Sequence, residues 1–356
     1  MSQFKSESDN KFYLKTKNMI EFKKYSSIEN SFNKKFMDKV SLEMPNDLMW
    51  VVQEKVHGTN TSFLCDGKTV EFAKRTSVLS EGENFYDYPE LLARYTDKVI
   101  SLFNDIKSIR PNITSISVFG EMFGGSYPHK DVEKVNNVSL IQKGVYYSPN
   151  HEFYGFDIYV FDGEFSNFLD VNVVNELFEK NGFFYAKTLA SGSLEECLKY
   201  PNEFVSRIPE WLGLPTIEDN ICEGVVIRPI IPMYFRNGSR VLIKNKNEKF
   251  SERKSVKKHT PSEPIQVSDA LNELMTISEE YVNENRLANV ISHIGEVEFP
   301  VDFGKVMGAL TKDAIEDFLK EYSEKYGNLE KNEQKMLNKH ISSLSAAVIK
   351  KTHMSA

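Results

Sequence analysis

The stretch WVVQEKVHGTN, Trp50 to Asn60, decides how the rest of the chain is read. Trp50, Val51 and Val52 open an apolar run that ends on Glu54 and Lys55, and Gly58 follows the lysine by three residues. Such a run reads as a strand, and the glycine allows a tight turn after it. An ammonium at the end of a buried strand is costly to desolvate. Between other cations its pKa falls and the free amine becomes a nucleophile. Taken alone, the same residues also fit an ordinary strand that ends in a snorkelling lysine before a hairpin.

Working outward, further short apolar or alternating runs follow: TSFLC (61–65), TVEFAKR (69–75), ISVFGEMF (116–123), EFYGFDIYVF (152–161), FLDV (168–171), EGVVIRP (223–229) and RVLIKNK (240–246). Gly, Asn, Asp or Pro bound them, so they read as strands. Helical spacing appears between them, over 88–107, over 171–182 with Gly182 as the stop, and over 193–204. Strands dominate and helices are interspersed, so residues 20–255 are expected to be α+β. After Thr260 the pattern becomes helical over 268–294, 311–327 and 332–351, with Ser268 and Thr311 as N-cap candidates. The expected organisation is a loosely ordered extension over 1–20, a first domain over 21–258, a linker with Pro261 and Pro264 over 259–265, and a small all-helical domain over 266–356.

Composition narrows the class. The 356 residues are 40% hydrophobic and include 25 Phe and 16 Tyr, too many for a disordered chain. No window approaches the roughly 18 apolar residues of a membrane helix. The polar start, MSQFKSESDNKFYLKTKNM, has no apolar core of a secretory signal. Cys65, Cys197 and Cys222 are irregularly spaced, which favours a reducing, cytoplasmic setting over a disulfide framework or a zinc site. Net charge is −7, against a simple polyanion binder. Residues 241–260 nevertheless hold seven basic and two acidic side chains, while 261–356 hold 10 basic and 16 acidic ones. The basic stretch is either a solvated face or a track for a phosphate backbone.

One ordered series changes the weight of the lysine. Glu54-Lys55-Val56-His57-Gly58 is followed by Ala73-Lys74-Arg75-Thr76, Phe119-Gly120-Glu121, Tyr154-Gly155-Phe156-Asp157, Glu223-Gly224-Val225-Val226-Ile227-Arg228 and Leu242-Ile243-Lys244-Asn245-Lys246. Six motifs in this order resemble the covalent nucleotidyltransferases, the superfamily of ATP-dependent polynucleotide ligases and capping enzymes. His57 stands where DNA ligases and capping enzymes usually carry Asp. EKVHGTN, AKRT, RNGSRVLIKNKNEKFSE and the early FKKYSSIEN look like the RNA ligase 2 family, strongly over 21–255 and more weakly over the helical tail.

The resemblance implies an ATP-grasp-like ligase adenylation domain with antiparallel sheets, followed by the helical domain. It implies that Lys55 attacks the α-phosphate of ATP to form lysyl-AMP. An arginine could not do this, because guanidinium keeps its proton. Lys244 and Lys246, at i and i+2 on a strand, would face the same phosphate and depress the pKa of Lys55. Glu223 would hold magnesium or manganese, and Glu121 the ribose; beside the lysines both would stay ionised. Phe156 would stack on adenine, and Arg75 would contact ribose or an end phosphate. His57 and Asn60 would reach the phosphates, and Thr59 would face the nucleic acid. Glu54 would help fix the adenine edge, and Asp157 would have a supporting ionic role. The implied substrate is a 3′-hydroxyl/5′-phosphate nick in duplex RNA or an RNA–DNA hybrid, sealed by a monomer with no membrane contact; a phage or viral origin is compatible. A DNA nick ligase, a GTP-using capping enzyme and a non-catalytic RNA-end-binding protein on the same fold remain the alternatives.

Overall fold

A computed structural model describes residues 20–163, 165–251 and 268–354. Most of the extension expected over 1–20, the linker and the basic residues 252–258 lie outside these. The chain runs β1 (Glu29–Asn30), α1 (Lys34–Glu43), β2 (Trp50–Glu54), β3 (Thr59–Cys65), β4 (Val70–Lys74), β5 (Ser77–Val78), α2 (Tyr88–Ile109), β6 (Ser115–Ser126) and β7 (Ser148–Phe161). It continues through β8 (Asn167–Phe168), α3 (Val171–Lys180), β9 (Thr188–Gly192), α4 (Leu194–Leu198), α5 (Ile208–Trp211), β10 (Gly224–Pro229) and β11 (Ile243–Lys246). The helices α6 (Asp269–Ser278), α7 (Glu284–Ile294), α8 (Phe303–Gly327) and α9 (Lys331–His353) follow.

Two sheets form the α+β part. One has the order β5-β4-β3-β6-β7-β8 and is antiparallel throughout. The other has the order β1-β11-β10-β2-β9 and is antiparallel except where β1 runs parallel to β11. Side-chain alternation builds the layers. On β7, Ile158 and Val160 face the core under α2 and α3, while Tyr159 and Phe161 join Tyr25, Phe119 and Phe168 on the other side. The helix α2 starts with Pro89 in its first turn and buries Leu91, Tyr95, Val99, Leu102 and Ile106, the stripe that its spacing predicts.

The helical part differs from expectation in two places. The single run over 268–294 breaks into α6, a 3₁₀ turn (Glu279–Tyr281) and α7, because Asn283 caps a new start by accepting from the Arg286 N–H. Thr311 is not a cap; it lies inside α8, which already began at Phe303. Ser268 does cap α6, accepting from the Leu271 N–H at 3.1 Å. No helix among the described residues is long and apolar enough to cross a membrane.

Candidate active site

The site forms where the chain passes from one sheet to the other. Strand β2 belongs to the five-stranded sheet and β3 to the six-stranded one, so Lys55–Gly58 is the crossing. The Lys55 N–H donates to the Gly224 carbonyl at 3.0 Å, and the His57 N–H donates to the Tyr147 hydroxyl at 3.0 Å. Gly58 is required by space: a Cβ there would lie 2.2 Å from the Met122 carbonyl oxygen. Gly224 is required twice over. Its φ is +141°, and a Cβ would meet the Asn245 carbonyl oxygen at 2.2 Å.

Glu223 is at the centre and fully buried. One carboxylate oxygen accepts from Lys55 Nζ at 2.8 Å and lies 3.6 Å from His57 Nδ1. The other lies 2.8 Å from Lys246 Nζ. Burial pushes this carboxyl upward, but Lys246, Lys55 and His57 together outweigh it and hold the pKa well below the usual range. The lysines therefore do not simply confront one another, as the sequence led one to expect; a carboxylate stands between Lys55 and Lys246. Glu121 behaves differently. Burial raises it to about 7, with Lys55 and Arg75 lowering and Glu223 raising. At Glu223 the neighbouring cations outweigh burial; at Glu121 they do not fully offset it.

A cavity of about 240 Å³ opens on this cluster. Eight of the nine expected nucleotide contacts line it: Glu54, Lys55, Asn60, Arg75, Glu121, Phe156, Lys244 and Lys246; His57 is not among the lining residues and stands behind Glu223. Phe156 reaches the wall through a bulge. Asp157 pairs with Phe119 and Gly155 with Gly120, so Phe156 is the extra residue and the strand is not regular there. Tyr25 packs on the Phe156 ring, with centroids 5.0 Å apart. Asp157 is buried in an ionic cluster with Arg228 at 3.1 Å and with Arg240, and it accepts from the Tyr25 hydroxyl at 2.9 Å.

The role expected of Thr59 is displaced, and Glu54 is left only its main-chain groups for the adenine edge. The Glu54 carboxylate turns from the cavity to accept from Ser206 Oγ at 2.6 Å and the Arg207 N–H at 3.0 Å, and burial raises its pKa to about 7. Its carbonyl accepts from the Tyr154 hydroxyl. Thr59 does not face open space: it is fully buried, and its hydroxyl donates to the Ser292 carbonyl of α7 at 2.7 Å. The helical part roofs the cavity, contributing Asn289, His293, Asp313, Glu316, Asp317 and Lys320. Arg286 holds Asp313 and Asp317, and Lys320 bridges Asp317 at 3.0 Å and Glu29 at 2.8 Å. Sequence reasoning missed this roof, and also Tyr25, Arg228 and Arg240. The last three stand inside motifs already quoted, so their signal was present.

As to a metal, no cluster of three or more His, Cys, Asp or Glu able to hold one exists among the described residues. Glu223 supplies an ionised carboxylate between Lys55 and Lys246. That fits an ion shared between one or two carboxylates and substrate phosphates, such as magnesium, and not an all-protein cage.

The whole chain can now be compared with known proteins. A family model for RNA ligase matches residues 48–246, and one for the T4 RNA ligase 2 C-terminal domain matches residues 265–347. The mitochondrial RNA-editing ligase 1 of Trypanosoma brucei brucei is 30% identical over 334 residues, covering 76% of this chain and 70% of that protein. RNA-editing ligase 2 of the same species is 26% identical over 352 residues, covering 84% and 83%. A Naegleria gruberi RNA ligase solved with PPi superposes with a TM-score of 0.42 at 13% identity; the match covers 64% of this chain and 57% of that one. The motif order read from the sequence, the two antiparallel sheets and the matches to both halves agree: the chain belongs to the RNA ligase family, in its RNA ligase 2 branch, and is a ligase by descent.

Proposed function

We propose that this ligase seals 3′-hydroxyl/5′-phosphate nicks in duplex RNA or RNA–DNA hybrids through a lysyl-AMP intermediate. The observation that carries this is the Lys55–Glu223–Lys246 cluster at the floor of a cavity lined by eight of the nine expected nucleotide contacts. In the first step Lys55 Nζ forms a bond to the α-phosphorus of ATP. The bond to the β-phosphate oxygen breaks, pyrophosphate leaves, and the ammonium proton goes to solvent. An ion-paired ammonium is not a nucleophile, so the contact with Glu223 must loosen first. AMP then passes to the 5′-phosphate of the RNA and frees the lysine. The 3′-hydroxyl attacks the activated phosphate and AMP leaves.

Lys244 and Lys246 would neutralise charge that grows at phosphorus, and Phe156 would hold the adenine face. Asn60 and Arg75 would fix the sugar-phosphate, and His57 would steady the phosphate side. Glu223 would hold a magnesium or manganese ion, which supplies further neutralisation of phosphate charge when bound. Residues 21–258 would form the adenylation domain, joined through 259–265 to the helical domain 266–356; the separate matches over 48–246 and 265–347 support that division. Thr59 is covered by α7 through its bond to the Ser292 carbonyl, so admission of RNA to Thr59 would require the helical domain to lift. A base-paired nick supplies the proximity for the last step.

The test is direct. Wild-type and Lys55→Ala proteins are incubated with magnesium and α-labelled ATP or GTP and run on a denaturing gel. Acid-labile label from ATP, absent in the variant, is expected, followed by sealing of nicked RNA over nicked DNA. Folded, unadenylylated wild type that takes no label from either nucleotide overturns the mechanism.

A further inference from the structure

We propose that Tyr147 is a positioning residue for the nucleophile loop, locked in place by Asn220. The proposal rests on the reading of Lys55 as nucleophile. The crossing Lys55–Gly58 is fastened at its start by the bond from the Lys55 N–H to Gly224. Its middle is fastened by the Tyr147 hydroxyl, which accepts from the His57 N–H at 3.0 Å. Tyr147 is 2% exposed, and its ring meets Phe123 edge-on at 5.3 Å. A phenylalanine would fill the same volume and keep that contact. The hydroxyl is thus the part directed at the loop.

The tyrosine is itself held. Its neighbour Tyr146 donates its N–H to Asn220 Oδ1 at 2.8 Å, and Asn220 Nδ2 donates back to the Tyr146 carbonyl. This buried amide thereby reproduces both bonds of a strand pair with one side chain. Three residues further along the same segment stands Glu223, which closes the circuit on Lys55 Nζ at 2.8 Å and His57 Nδ1 at 3.6 Å. The distance between amine and carboxylate is set from both sides: through the backbone from Asn220 to Glu223, and through Tyr147 to the His57 backbone. Loss of the hydroxyl leaves a partly buried N–H without its acceptor, and the loop shifts toward another. A shift of about 1 Å at a reacting group lowers a rate by up to roughly 100-fold.

The experiment compares wild type, Tyr147→Phe and Asn220→Asp. It measures single-turnover lysyl-AMP formation against ATP concentration, ATP-independent joining of pre-adenylylated nicked RNA, and thermal melting. Asn220→Asp keeps the acceptor for the Tyr146 N–H and loses the donor. For Tyr147→Phe the maximal adenylylation rate should fall by ~10-fold, with half-saturating ATP and joining of pre-adenylylated RNA unchanged within about 2-fold; for Asn220→Asp the fall should be about 3-fold. Adenylylation at the wild-type rate in folded Tyr147→Phe, or a change confined to half-saturating ATP, overturns the proposal. If Tyr147→Phe melts below assay temperature, Asn220→Asp decides by the same criteria. A wild type that takes no label sinks the nucleophile reading and this proposal together; a labelled wild type with an unimpaired Tyr147→Phe sinks the proposal alone.

Discussion

Two buried carboxylates in this molecule have the same neighbours on paper and opposite uses. Glu223 sits between Lys55 and Lys246, and Asp157 between Arg228 and Arg240. Each is fully buried, and in each case the flanking cations outweigh burial and lower the pKa. The difference lies in the cation. Guanidinium never gives up its proton and can bind a carboxylate in a fixed fork, so the Asp157 cluster is permanent. It is also sealed: the Arg228 side chain is 2% exposed, and Arg240 lies over the Phe168 ring at 3.7 Å. An ammonium can lose its proton, and the Lys55 side chain keeps 18% exposure toward the cavity. The arginine cluster therefore fixes geometry, holding the Phe156 bulge through Arg228 and the Phe156 carbonyl at 3.0 Å. The lysine cluster is the one that chemistry can open.

The sharpest way to break this comparison is to exchange the cations. Lys55→Arg keeps a charge beside Glu223 and should melt close to wild type, yet give no lysyl-AMP on a labelling gel. Next, Asp157→Asn strands two buried guanidinium groups; denaturant unfolding should show a loss of about 3–5 kcal/mol. If that loss were as small as for a surface pair, the cluster would not be structural.

A third test uses Glu54, a buried acid with no cation at hydrogen-bond distance among the described residues. Its pKa of about 7 in the fold, against an ordinary value of 4.5, means the native state holds a proton that the unfolded chain releases from pH 4.5 upward. This contribution is complete below pH 4.5 and disappears as pH rises through 7. Melting from pH 5 to 8 should therefore fall less steeply for Glu54→Gln than for wild type, with Glu121 supplying the remaining slope in the same direction. The smallest effect belongs to Lys320, 41% exposed in its bridge to Glu29. Lys320→Ala should change stability by only ~0.2–1 kcal/mol, and less at high salt.

These contrasts also show what a single sequence can convey. The long strands β3, β6 and β7 were legible because each carries an apolar run bounded by turn residues, as a strand buried on both faces does. So was α2, whose stripe runs over 22 residues. The cavity residues were legible because the motifs that carry them resemble, in the same order, those of the RNA ligase 2 family. The strand β1 was not, since two residues carry no period. Nor was the bulge at Phe156, because it depends on register with β6 and not on residue type. The roof was hidden for another reason. Asp313 and Asp317 read as one acidic face of a solvated helix, and their partner Arg286 lies 27 and 31 residues away.

The parallel pairing of β1 with β11 has a consequence for the order of events at the ribosome. The strand that carries Lys244 and Lys246 is inserted between β10 and the first strand of the chain. About 190 residues separate Lys55 from Lys246, roughly 10–40 s of synthesis at ordinary elongation rates. Throughout that interval the nascent protein displays Lys55 without the strand that carries Lys244 and Lys246. The cavity wall is completed in a late step, when β11 emerges and fills the gap between β1 and β10.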